Sequence, residues 1–320
     1  MNWLTGWKKK IRINVKNILK KRPTQDEETF FKTCPQCKKI FDSDTLVKSF
    51  YICECSWHFP LPPKLRLDSL FDSPYEIIEA PKNINPDPLN FEVKGRYNYS
   101  DKIKAYRKKT GQETCLLAGS GLISGMKAVV VVFNPLFGGG RFGIHENEHF
   151  LKITDFAVKE QVDFWLCCYA SSGIDVHGGV TALYGMPKSI IAMNSIKQAN
   201  IPTFALASRG TAGGTYASSF FMHDFIFVEC SSAEDILFSG KRVTANILKG
   251  TDSIPSGFGT GIGVFKAGLV DKVLNDRKDL KDTVAKIAKI ILKKEELETK
   301  NVEEAHENQK DFKKTASTTS

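Results

Sequence analysis

From Cys115 onward, apolar runs alternate with amphipathic stretches along the chain. Cys115 to Ile123 and Ala128 to Phe133 predict two strands, the second built on the β-branched run Val129 to Val132 that suits a sheet centre. A helix is predicted from about Glu146 to Lys159, a buried strand over Phe164 to Ala170, and a helix from Thr181 to Ala199 that Pro187 disturbs. A strand over Thr203 to Ala207, a small-residue helix from Thr215 to Phe221 and a strand over Phe225 to Val228 follow, and Arg277 to Leu292 has the period of an amphipathic helix. Strands alternating with helices predict an α/β layered core whose strand-end loops carry the chemistry.

Two of these strands end alike. The Phe164 run breaks at Ser171-Ser172-Gly173, and the Thr203 run breaks within Gly210-Thr211-Ala212-Gly213-Gly214. Small residues opening a helix leave backbone N–H groups without intrahelical acceptors, and the helix dipole adds to their positive field. A developing oxyanion is stabilised there without a charged side chain. The competing reading is that the small residues only permit close helix–strand packing. A glycine turn, Phe137 to Gly143, precedes the Glu146 helix.

The first 112 residues break this rhythm. Residues 60–112 carry Pro60, Pro62 and Pro63 and a proline and asparagine cluster from Pro81 to Asn90; Leu65 to Phe71 and Asp101 to Lys109 predict short helices. No chemistry is recognisable there, so it reads as a connecting region. Residues 30–59 hold Cys34-Pro35-Gln36-Cys37 and Cys53-Glu54-Cys55. Paired thiolates from two turns suit tetrahedral zinc, and a four-ligand site with no open position is structural. The single-residue spacing of the second pair leaves His58 as a possible replacement for one of its members. The other four cysteines, Cys115, Cys167, Cys168 and Cys230, lie in apolar surroundings and read as core.

Composition adds little until the charge is located. The 320 residues are 42% hydrophobic and 25% charged, as in ordinary globular proteins, with a net charge of +9. Eight cations and no acid fall in residues 1–22: Lys8, Lys9, Lys10, Arg12, Lys16, Lys20, Lys21 and Arg22. The arm over residues 1–29 also spaces Trp3, Leu4, Trp7, Ile11, Val15 and Ile18 at roughly helical intervals. It is read as an amphipathic segment that docks on its own protein or a partner, with a membrane surface or nucleic acid as other partners. Residues 293–320 are charged and poor in apolar residues, which predicts a disordered tail. Neither a membrane span nor a secretory signal is recognisable, so the expected location is cytoplasmic.

Several motifs in fixed order resemble the β subunit of bacterial acetyl-CoA carboxylase carboxyltransferase. They are the four-cysteine unit, Gly139-Gly140 and Gly143, Ala170-Ser171-Ser172-Gly173, Gly213-Gly214 with Ala217-Ser218, Phe238 to Val243 and Lys266 to Asp271; the opening Met1 to Leu4 is also similar. The resemblance implies a crotonase-like (ClpP/crotonase) core of stacked ββα units over residues 113–292 and an N-terminal zinc ribbon. The reaction implied is carboxyl transfer from carboxybiotin on a carrier protein to acetyl-CoA, giving malonyl-CoA for fatty acid synthesis. The cofactors implied are structural zinc and biotin carried by a partner. In that mechanism biotin removes the α-proton of the thioester, so the protein supplies oxyanion pockets and positioning. Ser172 and Gly173 are the expected backbone pocket, with Gly139, Gly140, Gly213, Gly214, Lys241 and Arg242 as substrate-binding residues and Cys34, Cys37, Cys53 and Cys55 as metal ligands. The implied partners are the carboxyltransferase α subunit, in an α2β2 assembly that supplies the second pocket, the biotin carboxyl carrier protein and biotin carboxylase. Nucleic-acid contact through the ribbon and the basic arm is a further expectation.

The chain departs from the family at one turn. Where the family has Ser-Gly-Gly-Ala-Arg-Met-Gln-Glu, this chain has Ser171-Ser172-Gly173-Ile174-Asp175-Val176-His177-Gly178. Asp175 beside an enolate would oppose its charge; His177 reads either as compensation or as a solvent or interface histidine. The altered turn supports the alternative of a non-catalytic paralogue with a structural or regulatory role. A decarboxylase or hydratase is a third reading, but Asp175 and Asp224 make no convincing pair for water addition.

Overall fold

The computed structural model describes residues 31–230, 235–247 and 254–293. The basic arm and the tail beyond residue 293 lie outside these. The chain divides into two compact units between Phe59 and Pro60.

In the first unit the hairpin of β1 (Phe31–Thr33) and β2 (Ile40–Asp42) leads into helix α1 (Ser43–Lys48). Asp42 caps that helix by accepting from Thr45 N at 2.7 Å. Among the described residues of this unit, Phe41, Leu46 and Phe59 are the buried apolar side chains gathered beside Cys34 and Cys53. So small a core needs a metal or other staple.

The second unit is built on one twisted sheet. After α2 (Pro63–Leu70), β3 (Glu76–Ile77), the short hairpin β4 (Glu92–Val93) and β5 (Tyr97–Asn98), and α3 (Tyr99–Thr110), the antiparallel pair β6 (Leu116–Ile123) and β7 (Met126–Phe133) begins the alternating part. Then come α4 (Ile144–Lys159), β8 (Phe164–Ser171), α5 (Gly179–Leu183), α6 (Gly185–Gln198), β9 (Thr203–Ala212), α7 (Gly213–Ala217), β10 (Phe225–Val228), β11 (Ile236–Leu237), α8 (Lys241–Ile247), α9 (Gly261–Lys266), β12 (Lys272–Val273) and a helix α10 over residues 279–293. The strand order is β12-β10-β9-β8-β7-β6-β3, with β11 also on β9. From β7 to β12 the neighbours are parallel.

Both faces of the central strands are buried, which is why they are apolar at every position rather than at alternate ones. Val129, Val131, Trp165, Cys167 and Ala205 face one core, which includes Phe150 and Ile153 of α4 and Met193 and Ile196 of α6. Val130, Val132, Leu166, Cys168 and Phe204 face the other, which includes Leu67 and Leu70 of α2 and Val284 and Ala288 of α10. Residues 60–112 are therefore more than a connection: α2 closes one face and β3 pairs with β6 at the sheet edge.

Three expectations need correction. The small-residue helix expected from Thr215 to Phe221 is α7 over Gly213–Ala217, followed by a separate 3-10 turn at Phe220–Met222. The Thr203 strand runs on through Gly210 to Ala212, because β8 and β11 both pair with its end, so the turn falls at Gly213. The Thr181 to Ala199 helix is two helices meeting at Tyr184, and Pro187 sits in the first turn of the second, where its missing N–H costs nothing. Among the described residues no helix is long and apolar enough to cross a membrane.

Candidate functional site

The carboxyl ends of β8 and β9 bring three small-residue turns together. The Phe137 to Gly143 turn is zipped to the chain after β8 by three backbone bonds: Ser172 N to Gly139 O at 3.0 Å, Phe142 N to Gly173 O at 2.8 Å, and Asp175 N to Phe142 O at 3.1 Å. Gly140, at φ 65°, lies so close to β8 that a methyl group would fall 1.9 Å from Ala170 O, so no other residue fits. On the other side Gly173, at φ 101°, faces α7. A methyl group there would lie 2.9 Å from Ala212 O, 3.2 Å from Gly213 Cα and 3.3 Å from Gly214 N.

The donors at these turns differ in availability. Ser172 N–H is tied to Gly139 O. Gly173 N–H donates to Ser171 Oγ at 3.1 Å, and that hydroxyl also lies 3.0 Å from Thr215 Oγ1. Gly213 N–H donates to Phe238 O at 3.0 Å. Gly214 N–H, in the first turn of α7, has no acceptor among the described residues. An anionic oxygen beside Gly173 thus has one free donor and one, on Gly173, held only by a hydroxyl with another partner. Lys241 and Arg242 open α8, but their side chains are outside the described residues.

Asp175 is not left to oppose a nearby anion. Its buried carboxylate accepts from His177 Nδ1 at 2.6 Å, from His177 N at 3.1 Å and from Tyr99 Oη, and Arg141 Nε stands 3.5 Å away. His177 is neither a solvent nor an open interface residue: its ring stacks on Tyr99 at 4.3 Å, meets Phe91 edge-on at 5.0 Å, and its Nε2 lies 3.1 Å from Tyr97 Oη. Arg141 is sandwiched between the rings of Tyr99 and Tyr106, with Cζ 4.7 Å from each. Burial, opposed by Arg141 and reinforced by Asp175, pushes the Tyr99 phenol far above its ordinary value, so it remains a donor.

Glu146 in α4 completes this buried group. It accepts from Gly143 N at 3.1 Å, capping its own helix, and burial raises its carboxyl to about 7. Other polar side chains nearby are committed to structure. Burial lowers His149 to about 4, and its nitrogens meet Thr114 Oγ1 and Ile78 O. Asp224 binds Thr203 at the opposite, amino end of the sheet, so it forms no pair with Asp175.

Of this cluster the sequence reading found Asp175 and His177 but not Tyr99, Arg141 or Glu146, and it credited residues 60–112 with no chemistry. The available signal was the aromatic series Phe91, Tyr97, Tyr99 and Tyr106, together with an arginine placed inside the glycine turn.

In the first unit the sulfurs of Cys34, Cys37, Cys53 and Cys55 lie within 4.8 Å of one another, with no imidazole in the group. Neighbouring sulfurs are 3.4 to 3.6 Å apart, near the roughly 3.8 Å edge of a zinc tetrahedron with Zn–S bonds of about 2.3 Å. The donor set therefore fits zinc. The short second pair is accommodated because Ser56, at φ 64°, closes a tight knuckle bonded from Ser56 N to Cys53 O.

Residues 93–319 match the carboxyl transferase domain family. The acetyl-coenzyme A carboxylase carboxyl transferase subunit beta of Agrobacterium fabrum is 32% identical over 295 residues, 92% of this chain and 95% of its own. That of Rhizobium meliloti is 31% identical over 296 residues, 92% and 93% of the two chains. Among solved structures, the transcarboxylase 12S hexamer crystallised with methylmalonyl-coenzyme A matches with a TM-score of 0.55 at 18% identity, over 72% of this chain and 41% of its own. A Pseudomonas malonate decarboxylase hetero-dimer matches with a TM-score of 0.53 at 16% identity, over 73% and 86%. The architecture they share with this chain is the crotonase-like α/β fold.

Proposed function

Because this chain belongs to the carboxyl transferase domain family and, within it, to the acetyl-CoA carboxylase carboxyl transferase beta subunits, we propose that it transfers a carboxyl group from carboxybiotin on a carrier protein to acetyl-CoA, giving malonyl-CoA. The observation that carries the chemistry is the free Gly214 N–H set against Gly173.

Abstraction of the α-proton of a thioester places negative charge on its carbonyl oxygen. Gly214 N–H donates to that oxygen directly, and Gly173 N–H joins it when Ser171 Oγ turns to Thr215. Preorganised amides stabilise the anion without reorganising as charge develops; losing one such donor costs about 100-fold in rate or more. The backbone bonds from the Phe137 to Gly143 turn hold the Gly173 turn in place beside the start of α7. Biotin, when bound, supplies the carboxyl group and the base. That division of labour agrees with a site whose histidines are tied to structure.

One crotonase-like unit offers one pocket, and the second is assigned to the α subunit. The chain that follows the site turn is apolar and exposed: Val176 is 81% exposed, Val180 67%, Tyr184 62% and Ile191 66%. Such a surface next to a half-site suits a stable subunit interface. Cys34, Cys37, Cys53 and Cys55 would hold a structural zinc that contributes folding energy to the first unit.

The reverse reaction tests the proposal. The chain co-purified with its α subunit is given malonyl-CoA and free biotin, and acetyl-CoA formation is followed. Turnover that is lost in Gly173→Val is the expected result; an assembled complex with no turnover rejects the proposal.

A further inference from the structure

Among the described residues, Asp175 ties together more of the chain than any other polar side chain near the site. Its Oδ1 accepts both donors of His177, and its Oδ2 takes Tyr99 of α3 and faces Arg141 of the glycine turn. Glu146 Oε2 is the other carboxylate oxygen at this point: a methyl group on Gly143 would lie 2.7 Å from it and 3.4 Å from Asp175 Oδ2. Of the two carboxylates Asp175 is the one that pairs with Arg141, while Tyr99 and Tyr106 cover the faces of the guanidinium. Asp175 is 4% exposed, so these bonds are made in a low-dielectric setting where losing one partner strands the others.

The anchor lies two residues from the proposed donor. Gly173 O and Asp175 N both bond to Phe142, so a shift of Asp175 passes to Gly173 through two backbone bonds and one intervening residue. Gly173 has little room for such a shift, because Ala212, Gly213 and Gly214 stand within van der Waals reach. The substrate contacts belong to Gly173 and Gly214, not to Asp175.

Resting on the carboxyl-transfer reading, we propose that Asp175 is a positioning residue of the thioester pocket, holding the turn from Ser172 to Val176 in place through Tyr99, Arg141 and His177. Its carboxylate sets the distance from the Gly173 amide to the α7 amide. A displacement on the order of 1 Å costs about 100-fold in rate. The loss therefore falls on kcat, with binding of the CoA portion little changed.

The test uses the complex with the α subunit and the reverse reaction from malonyl-CoA and biotin, with Asp175→Asn, Asp175→Ala, Tyr99→Phe and the Asp175→Ala/Tyr99→Phe double variant. Asp175→Ala is expected to lower kcat about 100-fold while KM for malonyl-CoA changes less than about threefold. Tyr99→Phe, which keeps the ring on His177, is expected to lose about tenfold, and the double variant no more than Asp175→Ala alone, because the residues act as one unit. Deuterium exchange of the 171–180 peptide should rise in Asp175→Ala while protection of β7 and β8 stays intact. Wild-type kcat in Asp175→Asn and Asp175→Ala, losses that multiply in the double variant, or exchange that rises over the whole sheet would each overturn the proposal. Should the alanine variant fail to assemble, Tyr99→Phe and Asp175→Asn decide by the same kcat and exchange criteria. If the wild-type complex itself shows no turnover, the carboxyl-transfer reading falls, and exchange of the 171–180 peptide alone decides the role of Asp175.

Discussion

Gly173 and Gly213 press their backbones together across the ends of β8 and β9: a methyl group on Gly173 would lie 3.2 Å from Gly213 Cα, and one on Gly213 would lie 3.3 Å from Gly173 Cα. Both residues have positive φ, 101° and 62°. Neither position accepts a side chain without moving the other strand end, so the proposed pocket is constrained from both sides.

Gly173→Val tests that contact. Valine is strained at this φ and its Cβ meets Ala212 O, so the turn must open. Turnover is expected to fall by 100-fold or more while the complex with the α subunit still elutes as one species. Gly173→Ala should fall between valine and wild type, and steady-state kinetics on both variants checks the order.

Glu146 makes stability depend on pH. Its carboxyl is raised in the folded state from 4.5 to about 7 by burial, so the folded form binds a proton that the unfolded form releases. Its stabilising contribution is complete below about pH 4.5 and is lost as pH rises through 7, a change of about 3 kcal/mol. Glu146→Gln cannot ionise and should flatten this part of the profile, whatever it costs at low pH by disturbing the helix cap. Urea melts of both proteins from pH 5 to 8 measure the difference in slope.

Cys34→Ser should remove the metal. With one thiolate gone the cluster retains three sulfurs, and bound zinc is expected to drop from about one per chain to near zero after dialysis against a mild chelator. The first unit, with its few buried apolar side chains, should then be cut by protease at residues 31–59 while the second unit survives. Full zinc content in the variant would remove the ribbon assignment.

The exposed apolar stretch predicts a defect in assembly. Val180→Asp with Ile191→Asp places two charges on a surface that wild type leaves to apolar side chains. The α subunit should no longer co-purify, and the circular dichroism of the isolated chain should be unchanged. Retention of the complex would place the interface elsewhere.

Glu229 carries a separate load. It is 1% exposed and receives Arg66 from α2 and Arg277 from the chain before α10, joining both helices that cover one sheet face. Glu229→Ala leaves two guanidiniums buried beside the gap, and a loss of about 3 to 5 kcal/mol is expected from chemical denaturation.

The sequence by itself determined the sheet and its burial. The unbroken apolar runs at Val129 to Val132 and Phe164 to Ala170 can be satisfied only between two covered faces, and the intervening amphipathic stretches have the period of helices. It also determined the cysteine cluster, because thiol pairs in two short turns have few other uses. Chain-local signals of this kind survive folding unchanged. Tertiary structure alone decided which atoms meet: that β9 runs to Ala212 because β8 and β11 pair with its end, that Gly214 keeps a free donor while Ser172 does not, and that Asp175 is matched by Tyr99, 76 residues earlier, and by Arg141. These outcomes depend on the crowding of distant segments in three dimensions, and periodicity along one strand or helix carries no record of its neighbours across the fold.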